Sequence, residues 1–206
     1  MGIGSAIQLF TSGYLLCIEE SKNYFKKKTF TYSEKSEKKR EEFKKKLKRV
    51  PVKKRVFVDE SGVETYFQRE YARAPQGEKV EDVKSGKKFE RTNVIGAKCN
   101  GEFFSIMCYQ HATDSEFFEW WFINCLLEEI PRGYTVIMDN ASFHRKKMLR
   151  KLARGKVRLL FLPPYSPDYN SIEKSWANMK RNLRDNVKNF SSIMAAIYDY
   201  FGFREI

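Results

Sequence analysis

Residues 135–176 read TVIMDNASFHRKKMLRKLARGKVRLLFLPPYSPDYNSIEKSW. Within this stretch, residues 135–138 form an apolar run that breaks off at Asp139. Residues 157–162 form a second apolar run that breaks off at two prolines. Both have the length and composition of buried strands. Between them, residues 145–154 read as a basic helix closed by Gly155. After the Pro-rich turns, residues 171–184 read as another helix. Strand, helix, strand, helix at this spacing implies parallel strands joined by crossovers, and therefore an α/β sheet.

Upstream, residues 55–59 (RVFVD) form a short β-branched strand with a turn expected at Ser61-Gly62. Residues 64–71 are expected to pair back as a strand, and 74–88 read as a long loop. Residues 91–98 and 103–109 are two strands joined by Asn100-Gly101, a strong hairpin signal. Residues 115–129 read as a buried helix with a capping box at Thr113-Asp114-Ser115-Glu116. Trp120, Trp121 and Trp176 are assigned to core packing. A last helix covers about 191–201. A hairpin-rich start feeding crossover units predicts a mixed sheet with helices on both faces.

Three carboxylates fall at element ends: Asp59 after RVFV, Asp139 after TVIM, and Glu173 at the start of the helix after the Pro-rich turns. A carboxylate at the end of an apolar strand is costly to bury unpaired. If the two strands are neighbours, Asp59 and Asp139 stand side by side, and a helix crossing that edge delivers Glu173. Like charges within about 6 Å raise each other's pKa, and a divalent cation resolves the repulsion. Oxygen-only ligation suits magnesium, with manganese as substitute. Two such ions about 4 Å apart suit in-line phosphoryl transfer. Each acid also has a structural reading. Asp59 and Asp139 resemble turn or helix caps, and Asn170 with Glu173 matches a capping box.

The chain of 206 residues carries a net charge of +13. Residues 22–55 hold 16 basic and 4 acidic side chains, so nearly all of the excess lies in one arm. The segment 33–50 reads as a surface helix with a narrow stripe of Phe43, Leu47 and Val50, ended by Pro51. Such an arm on a near-neutral body suits a polyanion. Its lysines Lys44, Lys45, Lys46 and Lys48, with Lys174, Arg181 and Arg184 after Glu173, are the candidate DNA contacts. The 42% hydrophobic content excludes disorder over most of the chain, and no apolar run is long enough to span a membrane. The N-terminus lacks the pattern of a secretory signal. Cys17, Cys99, Cys108 and Cys125 have neither zinc spacing nor the density of a disulfide scaffold, so buried free thiols are expected.

The blocks VDESG, MDNASFH and LLFLPPYSPDYNSIEKSWANMKR together resemble the catalytic domain of bacterial insertion-sequence transposases of the mariner-related DDE superfamily. The last block is the most specific. The resemblance implies a ribonuclease H-like fold and a metal-binding triad of Asp59, Asp139 and Glu173. It implies two Mg2+ ions, cleavage at transposon ends, and attack of the freed 3′-hydroxyl on target DNA. It also implies a homodimer in the active state and a cytoplasmic, nucleoid-associated setting. Two departures stand out. Asn170-Ser171-Ile172-Glu173 replaces the usual Asn-Pro-Ile-Glu. The residues ahead of Arg55 do not read as helix-turn-helix units. The expected organisation is therefore a basic helical extension over 1–50, lacking a complete DNA-binding domain, and a catalytic domain over 51–206. This is the pattern of an N-terminally truncated copy.

His144 and Asn140 are candidates for supporting Asp139 or touching phosphate, whereas Asp168, flanked by Pro167 and Tyr169, reads as a turn residue. Two rival functions share these features. One is a basic nucleic-acid-binding module without catalysis, and the other is a simple metal-dependent nuclease.

Overall fold

The computed structural model describes residues 36–64 and 91–203, together with Pro75 and Lys79. They belong to a compact unit, Glu34–Ile206; a second unit, Met1–Ser33, lies outside the described residues. Cys17, most of the expected strand at 64–71 and nearly all of the loop at 74–88 also lie outside them.

Five strands form one sheet: β1 (Arg55–Glu64), β2 (Arg91–Cys99), β3 (Glu102–Tyr109), β4 (Thr135–Met138) and β5 (Arg158–Phe161), in the order β3-β2-β1-β4-β5. The pairs β3–β2 and β2–β1 are antiparallel, whereas β1–β4 and β4–β5 are parallel. The mixed sheet flanked by helices that the sequence implies is thus the observed one. The β2–β3 hairpin turns on Asn100 and Gly101, both at positive φ (53° and 97°), as a primed two-residue turn requires.

The strand β1 is longer than its sequence suggests. Ser61-Gly62 does not end it, because β2 pairs along its whole length, from Val56↔Cys99 to Glu64↔Arg91. Glycine at 62 leaves room for the Arg91 side chain, which would meet any Cβ there. Asp59 therefore lies inside a strand rather than at its end.

Alternation along β1 sorts its side chains between two cores. Val56 and Val58 pack with Val136 and Met138 under the helix α2, which runs from Ser115 to Glu129, and under α3 (Lys146–Leu152). The α2 helix contributes Phe118, Trp121 and Leu126, all fully buried, each adding about 1.5–3 kcal/mol. Its middle, Phe122–Leu126, is π-helical. Asp114 alone caps it, accepting from the Phe117 N–H at 2.8 Å, rather than a box that includes Thr113. Trp120 is 51% exposed, in contrast to its core assignment, since it sits one step off the buried Phe118–Trp121–Phe122 stripe. On the other face, Val63 and Val94 pack against α4 (Ile172–Asn186) and α5 (Ile193–Tyr200).

A further helix, α1 (Glu37–Lys48), belongs to the same unit as the sheet. Its stripe is buried as the spacing predicts, with Phe43 packed on Ile137 and Leu162. Cys99, Cys108 and Cys125 are unpaired and half-buried rather than fully buried.

Candidate active site

The β1–β4 register ends at Phe57↔Ile137. Two residues further along the chain from that pair stand Asp59, still within β1, and Asp139, just past the end of β4. Beyond Met138 the chain leaves the sheet, so from there on β1 is paired only with β2. Asp59 thus lies inside β1, past its last pair with β4.

Glycine at 96 lets α4 approach. It pairs with Asp59 across β1 and β2, and a Cβ there would meet the side chain of Ile106 and come within 3.4 Å of Trp176. Trp176 lies three residues after Glu173, so the close approach of α4 over Gly96 brings Glu173 towards the two aspartates. Lys98 Nζ, donating to Ser175 Oγ at 2.5 Å, ties the same turn of α4 to β2.

The three carboxylates feel one another. Burial, then the charges of Glu60, Asp139 and Glu173, push Asp59 up to about 8. Burial, then Asp139 and Asp168, raise Glu173 above its ordinary value. Asp139 goes the other way. Burial would raise it, but the hydrogen bond with His144, the Ala141 N–H at 2.9 Å and nearby positive charge hold it low. Asp139 and Glu173 line one cleft of about 460 Å³, whose other wall is Leu162-Pro163-Pro164-Tyr165. Among the described residues, no set of three or more His, Cys, Asp or Glu side chains is gathered at metal-holding distance. The donor chemistry of Asp59, Asp139 and Glu173 nevertheless fits a hard divalent cation. All are oxygen donors, and Asp59 is pushed towards protonation by burial and then by its neighbours' charge.

The capping-box reading of Glu173 does not hold. The helix N-cap is Ser171, without a side-chain bond, and buried Asn170 Oδ1 has no hydrogen-bond partner. The Glu173 carboxylate makes no hydrogen bond or ion pair among the described residues, so helix capping does not use it.

His144 lies behind Asp139, only 5% exposed, and does not line the cleft. Its Nδ1 is 3.1 Å from Asp139 Oδ1, and its Nε2 is 3.6 Å from Glu60 Oε1. Burial opposes its protonation, but the two carboxylates outweigh burial and raise it to about 9. Its ring packs on Phe118 (4.2 Å between centroids) and Phe143. This geometry orients Asp139. Asn140 donates to the Leu162 carbonyl, joining the ends of β4 and β5. Arg145, in a two-pronged pair with Glu119 (2.7 and 2.6 Å), pins the same loop to α2.

The candidate DNA contacts fall on two helices. Lys45, Lys46 and Lys48 are exposed on α1, while Lys44 is half-buried and paired with Glu41 at 2.7 Å. Lys174, Arg181 and Arg184 are exposed on α4.

Sequence reasoning passed over Glu60 and Lys180. Strand parity is the signal for Glu60: as Asp59's neighbour it must face the His144 side. Lys180 is seven residues after Glu173, two helical turns along the same face. Burial, then Arg91, lower its pKa, while Asp59 and Glu64 act to raise it.

This strand order, with carboxylates at the parallel edge, is that of the ribonuclease H-like fold. A profile of the DDE superfamily endonuclease family matches residues 54–194, and the chain belongs to that family. Solved structures agree on the fold. A Mos1 mariner paired-end complex with Mn superimposes with a TM-score of 0.71 at 15% identity, covering 97% of this chain and 66% of that one. The Mos1 strand transfer complex gives 0.68 at 15% identity, covering 97% and 65%. The Mos1 catalytic domain gives 0.60 at 13%, covering 88% and 87%. The chain thus spans just under two thirds of the longer transposase chains. No curated protein matches it by sequence. Among the described residues, no helix is long and apolar enough to cross a membrane.

Proposed function

We propose that this chain is the catalytic part of a DNA transposase of a bacterial insertion sequence, acting in the cytoplasm on nucleoid DNA. It cleaves DNA strands at element ends and joins the freed ends to a target. The observation that carries the reading is that Asp59 and Asp139 each follow the last parallel β1–β4 pair, Phe57↔Ile137, by two residues, while Asp139 and Glu173 act on Asp59 and Asp139 acts on Glu173. The family match and the Mos1 likeness support it.

Asp59, Asp139 and Glu173 would hold the cations, magnesium or manganese. Two such ions supply the charge neutralisation and oxygen activation that in-line phosphodiester displacement needs. The chain's own residues then have distinct tasks. His144 and the Ala141 N–H hold Asp139 Oδ1 fixed, so the aspartate meets its ligand without reorganising. Glu60 anchors His144 from behind. The Pro163-Pro164-Tyr165 wall confines the strand in the cleft. The α1 lysines and Lys174, Arg181 and Arg184 hold the DNA backbone. In cleavage, a water oxygen bonds to phosphorus and the 3′-hydroxyl leaves. In joining, that 3′-oxygen bonds to a target phosphorus and the target's own 3′-oxygen departs. The active form is a homodimer, and residues 1–50 form a basic extension to a catalytic domain over 51–206.

A pre-cut end oligonucleotide incubated with target plasmid and Mg2+ tests this. Joined products are expected. Nicks without joining would favour the simple nuclease, and salt-sensitive binding without metal-dependent chemistry would favour the binding module.

A further inference from the structure

The basic arm carries one side chain unlike the rest. Arg40, on α1, is 8% exposed in a helix whose other cations face solvent or neighbouring acids. Its guanidinium reaches the turn that precedes Glu173, about 130 residues away in sequence. Nη1 donates to Ser166 Oγ and Asp168 Oδ1, both at 2.9 Å, and Nη2 donates to Asp168 Oδ2 at 2.7 Å. The guanidinium carbon lies 4.4 Å above the Tyr169 ring, and that ring stacks on Phe43 at 5.3 Å. Nε is 3.6 Å from Glu37. Such a planar fork on a carboxylate, backed by an aromatic face, is a task lysine cannot match.

The turn passes this grip on to the helix. Ser166 Oγ donates to the Pro164 carbonyl at 3.1 Å. The N–H groups of Tyr169, Asn170 and Glu173 donate in sequence to the carbonyls of Ser166, Pro167 and Asn170 at 3.2, 2.8 and 3.2 Å. The turn from Ser166 to Asn170 is therefore held by a run of short-range bonds that Arg40 closes, and its last link is the Glu173 N–H. The grip has an electrostatic side as well. Asp168 is one of the two carboxylates whose charge reaches Glu173.

We propose that Arg40 is a positioning residue for Glu173: it locks the 166–170 turn against α1, and so sets the geometry on which the affinity of the carboxylate site for divalent cations depends. This rests on the function proposed above, and it assigns α1 a task distinct from DNA contact. Phe43 and Arg40 dock the helix, while Lys45, Lys46 and Lys48 remain on its outer side.

The test is Mn2+ binding by the full chain without DNA, followed by electron paramagnetic resonance, with hydrogen exchange over residues 163–176 measured alongside. Arg40→Met, which keeps much of the apolar length, should weaken Mn2+ binding about tenfold and speed exchange at residues 169–173. Arg40→Lys, which keeps the charge but not the fork, should fall between. Asp168→Asn, which breaks the same fork from the other side, should weaken Mn2+ binding in the same direction, and the double variant should bind little worse than the weaker single variant. Should Arg40→Met fail to fold, Arg40→Lys and Asp168→Asn carry the same comparison. Unchanged Mn2+ affinity in a folded Arg40 variant, or recovery of parent-like affinity in the double variant, would overturn the proposal. Absence of Mn2+ binding by the unmodified chain would instead overturn the functional reading itself.

Discussion

Asp59 and Asp139 each follow the last parallel β1–β4 pair by two residues, yet their environments act on them in opposite directions. Asp59 projects from the interior of β1 under α4 and is pushed up to about 8 by burial and by like charge. Asp139 sits where β4 gives way to a loop. There the Ala141 N–H and His144 turn towards it and hold it low despite its burial. The difference is one of backbone. A strand interior commits its N–H groups to the ladder and has none to offer a carboxylate, whereas a loop can bend one back. The site thus pairs one pre-organised acid with one held up by burial and like charge, an arrangement that a cation would complete.

The largest effects should come from removing either charge. Asp139→Asn and Asp59→Asn are each expected to lower metal-dependent strand cleavage by roughly a thousandfold while leaving non-specific DNA binding in place. Parallel loss of binding would count against a metal role. The two variants should diverge in metal-free stability. Asp59's folded pKa lies above its ordinary value of 3.8, so the folded state binds the extra proton and stability falls as pH rises from about 4 to 8. Asp59→Asn should flatten that slope and raise the unfolding midpoint near pH 8 by on the order of 5 °C. Asp139 is shifted down, so its contribution is present above the ordinary carboxylate range and is lost on acidification. Asp139→Asn should therefore lower the midpoint at neutral pH. Shifts of the same sign in thermal scans would break the contrast.

Next in size is the support behind Asp139. His144→Ala should cost about 10–100-fold in cleavage rate, and Glu60→Gln less. Equal rates for His144→Ala and the parent chain would show that Asp139 needs no orienting partner. Gly96→Ala places a methyl against Ile106 and Trp176. It should destabilise the fold by about 1–3 kcal/mol in urea titrations and slow cleavage by moving α4. Smallest should be the outer face of α1. Lys45, Lys46 and Lys48 changed to glutamate should flatten the salt dependence of DNA binding by about 0.9 per lost phosphate contact, with little change in folding. An unchanged slope would remove α1 from the DNA interface.

Much of this layout was legible in the residues. The apolar runs that stop at Asp139 and Pro163, the Asn100-Gly101 turn and the Phe43-Leu47-Val50 stripe each obey a local rule, and the fold respects them. The extent of β1 was not legible, since a Ser-Gly pair reads as a turn until a full-length antiparallel partner is known. Arg40 stayed hidden because composition treats every basic residue in the arm alike. Only its place three residues before Phe43, on the buried side of α1, distinguishes it. The partners Glu60 and Lys180 depend on which face of a strand or helix meets which neighbour, and that follows from packing across long sequence separations. The sequence set the three acids at element ends, whereas Asp59 lies inside β1. The opposite protonation tendencies of Asp59 and Asp139 were not legible, because they depend on His144 folding back from the loop.

The central claim is that Asp59, Asp139 and Glu173 act together to hold divalent cations. Direct titration of Mn2+ into the metal-free chain, and into Asp59→Asn, Asp139→Asn and Glu173→Gln, addresses it without recourse to catalysis. The account predicts saturable binding by the parent chain that each of the three substitutions weakens severely. Parent-like Mn2+ affinity in any one of the three variants would contradict it.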